Sequence, residues 1–200
     1  ESMTAAACAF PGLQQAVDAV IEVLAHAIPV ARIELCDDVQ IDAEGVAWYS
    51  NFVENYLGRL DPKTGAHEEF AWPVVKPGAP TGALALSNDR DGNFWLAAMF
   101  QTGVVKFDVR TKTFQVFRLP AEMNNDASQQ SMVMPAQSQV DGKVWTNEVS
   151  KQALMRLDTK TGKYELFEPF KMMGGNHSPY GLVADAANNR IRAIEVATQS

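Results

Sequence analysis

The sequence predicts an all-β fold, a partial β-propeller of about three and a half four-stranded blades preceded by a helix–strand segment. Two landmarks predict it. Trp48, Trp95 and Trp145 recur at spacings of 47 and 50, and Asp61, Asp108 and Asp158 recur at the same two spacings. Two landmarks moving in step with a period in the forties mark radially repeated sheets, one blade per repeat. The third observation is local: each repeat contains turn residues at fixed places and apolar–polar alternation between them.

The copies read Asp42-Ala-Glu-Gly-Val-Ala-Trp48, Asp89-Arg-Asp-Gly-Asn-Phe-Trp95 and Val140-Asp-Gly-Lys-Val-Trp145. Asp-Gly and Gly-Asn pairs accept the positive φ of tight hairpins, so each leads into a short Trp-centred strand. A second run, such as Val104-Val-Lys-Phe-Asp108, stops at Asp61-Pro-Lys-Thr-Gly65 or its counterparts at Asp108 and Asp158. A third run, Thr113-Phe-Gln-Val-Phe-Arg-Leu119, alternates strictly, the period of a half-buried strand. Softer segments precede each Trp hairpin: Pro80-Thr-Gly-Ala-Leu-Ala-Leu86, Met132-Val-Met-Pro135 and Ser178-Pro-Tyr-Gly-Leu-Val183. Their small residues suit the crowded innermost strands of a propeller.

The blades fall at about 39–73, 80–120, 132–170 and 178–200, the last incomplete, so the propeller occupies 39–200. In the fourth copy Ile191 stands where Trp is expected and no Asp-x-x-Thr-Gly turn follows. Closed propellers take about four to eight blades. An open one leaves unpaired strand edges, a route to self-association. Residues 1–38 follow another pattern. Leu13, Ala16, Val17, Val20, Ile21, Leu24, Ala27 and Ile28 form an amphipathic helical stripe ended by Pro29, and 30–35 reads as a strand.

Composition limits the function classes. The chain has 46% hydrophobic residues, enough for a core, and 17 basic against 24 acidic residues give −7, which argues against nucleic acid as a partner. No apolar run of about 18 residues predicts a membrane-spanning helix. Residues 3–10 are too short and weak for a signal peptide. Cys8 and Cys36 leave a disulfide and two free thiols open, with the thiols favoured.

Trp48-Tyr-Ser-Asn-Phe52, Leu57-Gly-Arg-Leu-Asp-Pro-Lys-Thr-Gly65, Asp91-Gly-Asn-Phe-Trp95, Val140-Asp-Gly-Lys-Val-Trp-Thr-Asn147 and Arg156-Leu-Asp-Thr-Lys-Thr-Gly162 resemble the streptogramin-lyase (virginiamycin B lyase-like) propellers over about 39–189. The resemblance implies a periplasmic or secreted setting. It also implies a His in a Pro-His-Gly inner-strand motif, with a Glu following the Trp of the same blade, beside magnesium. The ion would polarise a lactone oxygen while the His removes the adjacent proton. Here those tripeptides are Pro80-Thr81-Gly82 and Pro179-Tyr180-Gly181, and neither His177 nor Glu195 matches the motif. Separately, Phe10-Pro-Gly-Leu and Pro29-Val-Ala-Arg-Ile-Glu-Leu35 resemble, over about 9–38, the C-terminal region of FAD-linked oxidases of the D-lactate dehydrogenase and glycolate oxidase type. Two readings stand for this segment, a broken oxidase remnant joined near 36–39 or an unrelated capping helix. Neither carries a flavin site.

The expected function is therefore a propeller module binding a small molecule or protein across its central face, through Thr81, Gln137, His177 and Tyr180. A magnesium-dependent lyase opening a cyclic ester is one alternative and an inactive fragment another. No other cofactor is expected. Three scattered His and no Cys cluster argue against zinc. His67 is expected to be exposed on an outer strand, and His26 on the helix surface. Asp89–Asn93 resembles part of a calcium loop but lacks the later Glu, and reads as a hairpin turn. Residues 124–130 read as a solvated linker.

Overall fold

In each repeat the backbone forms an antiparallel meander, because every Asp-containing turn joins neighbouring strands directly. The computed structural model describes residues 36–135, 141–173 and 177–197, with only the backbone for 36, 178, 186 and 194–197. The first sheet contains β1 (Cys36–Ile41), β2 (Ala47–Asn51), β3 (Tyr56–Leu60) and β4 (His67–Ala71) in that order. The second contains β5 (Ala85–Asn88), β6 (Phe94–Ala97), β7 (Gly103–Asp108) and β8 (Thr113–Arg118). The third contains β9 (Val133–Met134), β10 (Val144–Glu148), β11 (Ala153–Asp158) and β12 (Lys163–Phe167). The fourth pairs β13 (His177–Asp185) with β14 (Arg190–Ala197). The first strand of each sheet neighbours the first strand of the next, the arrangement of propeller blades about an axis. The helix read at 12–28 lies outside the described residues, and β1 starts within the segment read as N-terminal.

The repeated Trp is the forward-facing wedge of each blade. Trp48 packs on Phe94 and Phe107 of the second sheet, with centroids 4.6 and 5.8 Å away. Trp95 joins Val144, Met155 and Leu157 of the third, and Trp145 meets Leu182, Ala184, Ile191 and Ala193 of the fourth. The preceding residue faces backward, as Phe94 does toward Trp48. Each indole N–H donates to a turn aspartate: Trp48 to Asp42 (2.8 Å), Trp95 to Asp89 (3.0 Å), Trp145 to Asp141 (3.1 Å). Directly across on the third strand stands a cation, Arg59, Lys106 or Arg156, 5.8, 5.6 and 5.6 Å from the ring centre. Cation–π attraction adds about 0.5–1 kcal/mol at such sites.

The fourth sheet corrects one expectation. In the first two sheets the turn Asp lies two residues beyond the residue paired with Trp: Gln40 pairs with Trp48 before Asp42, and Ser87 with Trp95 before Asp89. In the fourth, Asp185 lies two beyond Val183, whose partner is Arg192. Arg192, not Ile191, therefore holds the Trp position. Its Nε and Nη2 donate to Asp185 Oδ2 at 2.8 and 2.6 Å, replacing the indole N–H. Ile191 faces backward onto the Trp145 cluster, where Phe94 sits in the second sheet. The hairpin is one residue longer here, which shifted the sequence alignment. No third strand covers this position among the described residues, and the Arg192 side chain is 63% exposed. A guanidinium can satisfy the aspartate while staying hydrated; an indole there would expose its ring.

The second repeated turn works through its aspartate. Asp61 accepts the Lys63 N–H, Asp108 those of Arg110 and Thr111, and Asp158 those of Lys160 and Thr161. These bonds hold the carboxyls below their ordinary range, aided at Asp158 first of all by the Lys143 ammonium. Gly65 and Gly162 close their turns at φ +70°; Lys112 takes the same left-handed conformation in the second sheet, at φ +53°.

Candidate ligand-binding face

The hairpins within each first and third pair of strands leave the propeller at one end. The 51–56, 72–84, 98–102, 119–132, 148–153 and 168–173 segments leave it at the other. Beneath this second end lies a layer of buried amides and a carboxylate that tie the loops down. Asn51 Oδ1 accepts the N–H groups of Val53 and Glu54 at 2.7 and 2.8 Å, while Nδ2 donates to Tyr56 Oη. Gln101 accepts from the Val75 and Lys76 N–H groups and donates to the carbonyls of Lys76, Ala79 and Pro80. Asn147 accepts from Ser131 and Met132 and donates to Ser131 Oγ and the Pro179 carbonyl. Glu148 accepts from Gln129 N–H, Lys151 N–H and Ser150 Oγ. Buried polar groups so satisfied make the loops rigid.

Of the four expected binding residues, the structure places three at this end. Thr81 Oγ1 donates to the Val53 carbonyl at 3.1 Å. The residue lines an open cleft of about 320 Å³ with Glu54, Asn55, Tyr56, Glu69 and Ala71. His177 begins β13; its N–H donates to Gln152 Oε1 at 2.9 Å, and its ring stacks on Phe170 at 6.1 Å. Tyr180 follows at a register shift between Pro179 and Gly181 and is 54% exposed. His177 and Tyr180 share a strand end, but neither is among the described lining of the Thr81 cleft. Gln137 lies outside the described residues, as do His26 and Cys8. Glu195 pairs with Pro179 through the backbone.

Two further expectations change. His67 is half-buried: its Nε2 lies 2.5 Å from Tyr49 Oη, with the two rings stacked. Within 124–130, Ser128 and Gln130 are buried rather than solvated, and Ser128 Oγ accepts the Asn125 N–H. The spacing of the sequence carried no sign of this, since the burial comes from the 98–102 and 148–153 loops on either side: Gln130 N–H donates to the Met99 carbonyl, and Val149 N–H to the Gln129 carbonyl. Asp89 accepts from Asp91, Asn93 and Trp95, so it is a turn cap. Among the described residues no three His, Cys, Asp or Glu side chains converge as a metal site, and no helix is long and apolar enough to cross a membrane.

The innermost β1 contains an acidic pair. Asp38 Oδ2 accepts the Leu86 N–H at 3.0 Å, linking the first two inner strands, and desolvation raises its pKa against that bond. Desolvation first, and the Asp38 charge second, push the neighbouring Asp37 up to about 6. Folding then favours the protonated Asp37, so its contribution is full below about pH 4 and is lost as pH rises toward 6. Solvent on its open side keeps the effect modest. Asp37→Asn is expected to flatten the fall in Tm between pH 4 and 6; a wild-type slope retained in the variant would assign that fall to other groups.

Two kinds of known protein resemble different, overlapping parts of the chain. A family model described as "FAD linked oxidases, C-terminal domain" matches residues 1–81, running beyond 9–38 and across the first sheet. The Danio rerio protein named "Probable D-lactate dehydrogenase, mitochondrial" is 51% identical over 43 residues, which is 22% of this chain and 9% of that protein. Virginiamycin B lyase from Staphylococcus aureus superimposes with a TM-score of 0.57 at 18% identity, over 81% of this chain and 55% of the lyase. YCF48 bound to D1 peptide gives a TM-score of 0.56 at 9% identity, over 80% of this chain and 47% of that one. This chain thus spans about half the length of the propellers it matches. At these identities the likeness shows the propeller fold, of the architecture seen in streptogramin lyases.

Proposed function

We propose that the chain is a propeller module that binds a small molecule or a protein segment on its loop end, through Thr81, His177 and Tyr180; Gln137, also expected to take part, lies outside the described residues. One observation supports this reading best. Of the ten large apolar side chains exposed among the described residues, Phe52, Val53, Val74, Met172, Met173 and Tyr180 lie on the loop end, while Ile41 and Val183 lie toward the hairpin end. An apolar majority at one end, with the loops of Phe52, Val53 and Val74 tied down by Asn51 and Gln101, suits recognition. A propeller fold bound to a peptide, as in YCF48, is consistent with it.

The lyase reading rests on the fold alone. Thr81 and Tyr180 occupy the tripeptide positions where the resemblance implies a catalytic His, so neither position supplies an imidazole. Virginiamycin B incubated with the protein, with and without magnesium, is expected to keep its ring closed on chromatography. Turnover that disappears in His177→Ala would establish the lyase instead. In parallel, peptides selected by display against the wild-type protein are expected to lose at least tenfold in affinity on Tyr180→Ala. Selected peptides indifferent to Thr81, His177 and Tyr180 would remove the loop end as the binding surface.

A further inference from the structure

We infer that the cleft beside the first sheet is a site for an organic cation, an ammonium or guanidinium group on an apolar stem. Its described lining brings Glu54 from the β2–β3 loop together with Glu69 of β4, Asn55, Thr81, Tyr56 and Ala71, with no Lys or Arg. Two carboxylate residues beside Thr81 and Asn55 make the lining richer in acceptors than in donors. An anion is repelled there; a cation with several N–H donors is matched. The volume, about 320 Å³, falls within the range of small-molecule sites, about 300–1,000 Å³. Ala71 and Tyr56 supply the apolar part of the lining for the stem.

The site is held in shape before any ligand arrives. Asn51 accepts both the Val53 and Glu54 N–H groups and donates to Tyr56 Oη. Asn55 Nδ2 donates to the Trp72 carbonyl at 2.6 Å, and the Trp72 N–H returns a bond to the Asn55 carbonyl. Thr81 Oγ1 closes the loop on Val53. Glu69 Oε1 also faces His67 Nε2 at 3.8 Å, so it is partly engaged, and Glu54 carries the greater share of recognition. Preorganisation lowers the entropic cost of binding, and a chain of net charge −7 draws cations toward its surface.

The cleft shares Thr81 with the loop-end reading but stands on its own lining, so the two fail separately. Calorimetry at low salt with phenethylamine, and with phenylacetate as an anion of similar shape, tests it. Phenethylamine is expected to bind and phenylacetate not to, with affinity falling at least tenfold in Glu54→Gln and on raising salt to 0.5 M. Glu69→Gln is expected to weaken it less, and Tyr180→Ala not at all. Equal binding of the two probes, binding of neither, or an unchanged affinity in a folded Glu54→Gln protein would overturn the assignment. So would displacement of phenethylamine by equimolar calcium chloride, which would mark a metal site.

Discussion

Trp95→Ala is expected to destabilise the protein by about 3–5 kcal/mol, the range for emptying a large aromatic site in a packed core. Trp95 is 2% exposed and wedges between the second and third sheets. Its ring stacks on Phe117 at 5.7 Å, carries the Lys106 ammonium at 5.6 Å and donates to Asp89. Alanine leaves a void bounded by two sheets whose backbones are locked in their own ladders, so little collapse can offset it. Asp89 keeps three other donors, which makes packing rather than the lost hydrogen bond the dominant cost. Trp95→Phe, which refills most of the volume, is expected to recover over half of the loss. Trp145→Ala should cost less than Trp95→Ala, because its partners across the junction, Leu182, Ala184, Ile191 and Ala193, are only partly buried. Urea denaturation of the three variants checks the order, and a Trp95→Ala loss below about 1 kcal/mol would refute the wedge account.

Gly82→Ala is expected to be as damaging, about 3 kcal/mol or more, for a different reason. A Cβ at this position would lie 1.8 Å from the Phe52 carbonyl oxygen, 2.0 Å from its carbon and 2.6 Å from the Val53 nitrogen. These are backbone atoms, and three bonds prevent their retreat: Val53 N–H to Asn51 Oδ1, Thr81 Oγ1 to Val53 O, and Ala83 N–H to Asn51 O. The methyl group must therefore push the 52–55 loop away from the first turn before β5. Because that loop holds Glu54, the substitution should also abolish phenethylamine binding in whatever protein remains folded. A Tm within 2 °C of wild type, about 1 kcal/mol or less at this chain length, would show that the loop yields easily.

Short-range forces shape the blades, and long-range contacts shape the binding end. The blades, their Trp hairpins and their Asp-capped turns were legible because each depends on residues within a few positions of one another. A carboxylate reaching N–H groups two or three residues ahead, a glycine at positive φ and the two-residue period of a strand all act locally. The cations over the indoles follow the same cross-strand logic and were open to detection, since Arg59, Lys106 and Arg156 each stand 11 residues after their Trp. Arg192 was missed because one extra residue in a turn is invisible to spacing, yet it inverts which side chains face which sheet. That inversion is decided by the hydrogen-bond ladder.

The binding end was legible only in fragments. Thr81 and Tyr180 stood out as tripeptide positions, but nothing in the chain indicated that Glu54, Tyr56, Glu69 and Thr81 would border one cleft. His67 likewise became half-buried against Tyr49, and Gln130 buried beside Met99, through contacts the spacing does not show. Sequence alone establishes a repeated, all-β scaffold and the chemistry of its turns, because short-range sterics and hydrogen bonds specify those. The packing of sheets around a common axis determines which loops meet and which carboxylates share a cleft, because those depend on contacts between residues distant in the chain.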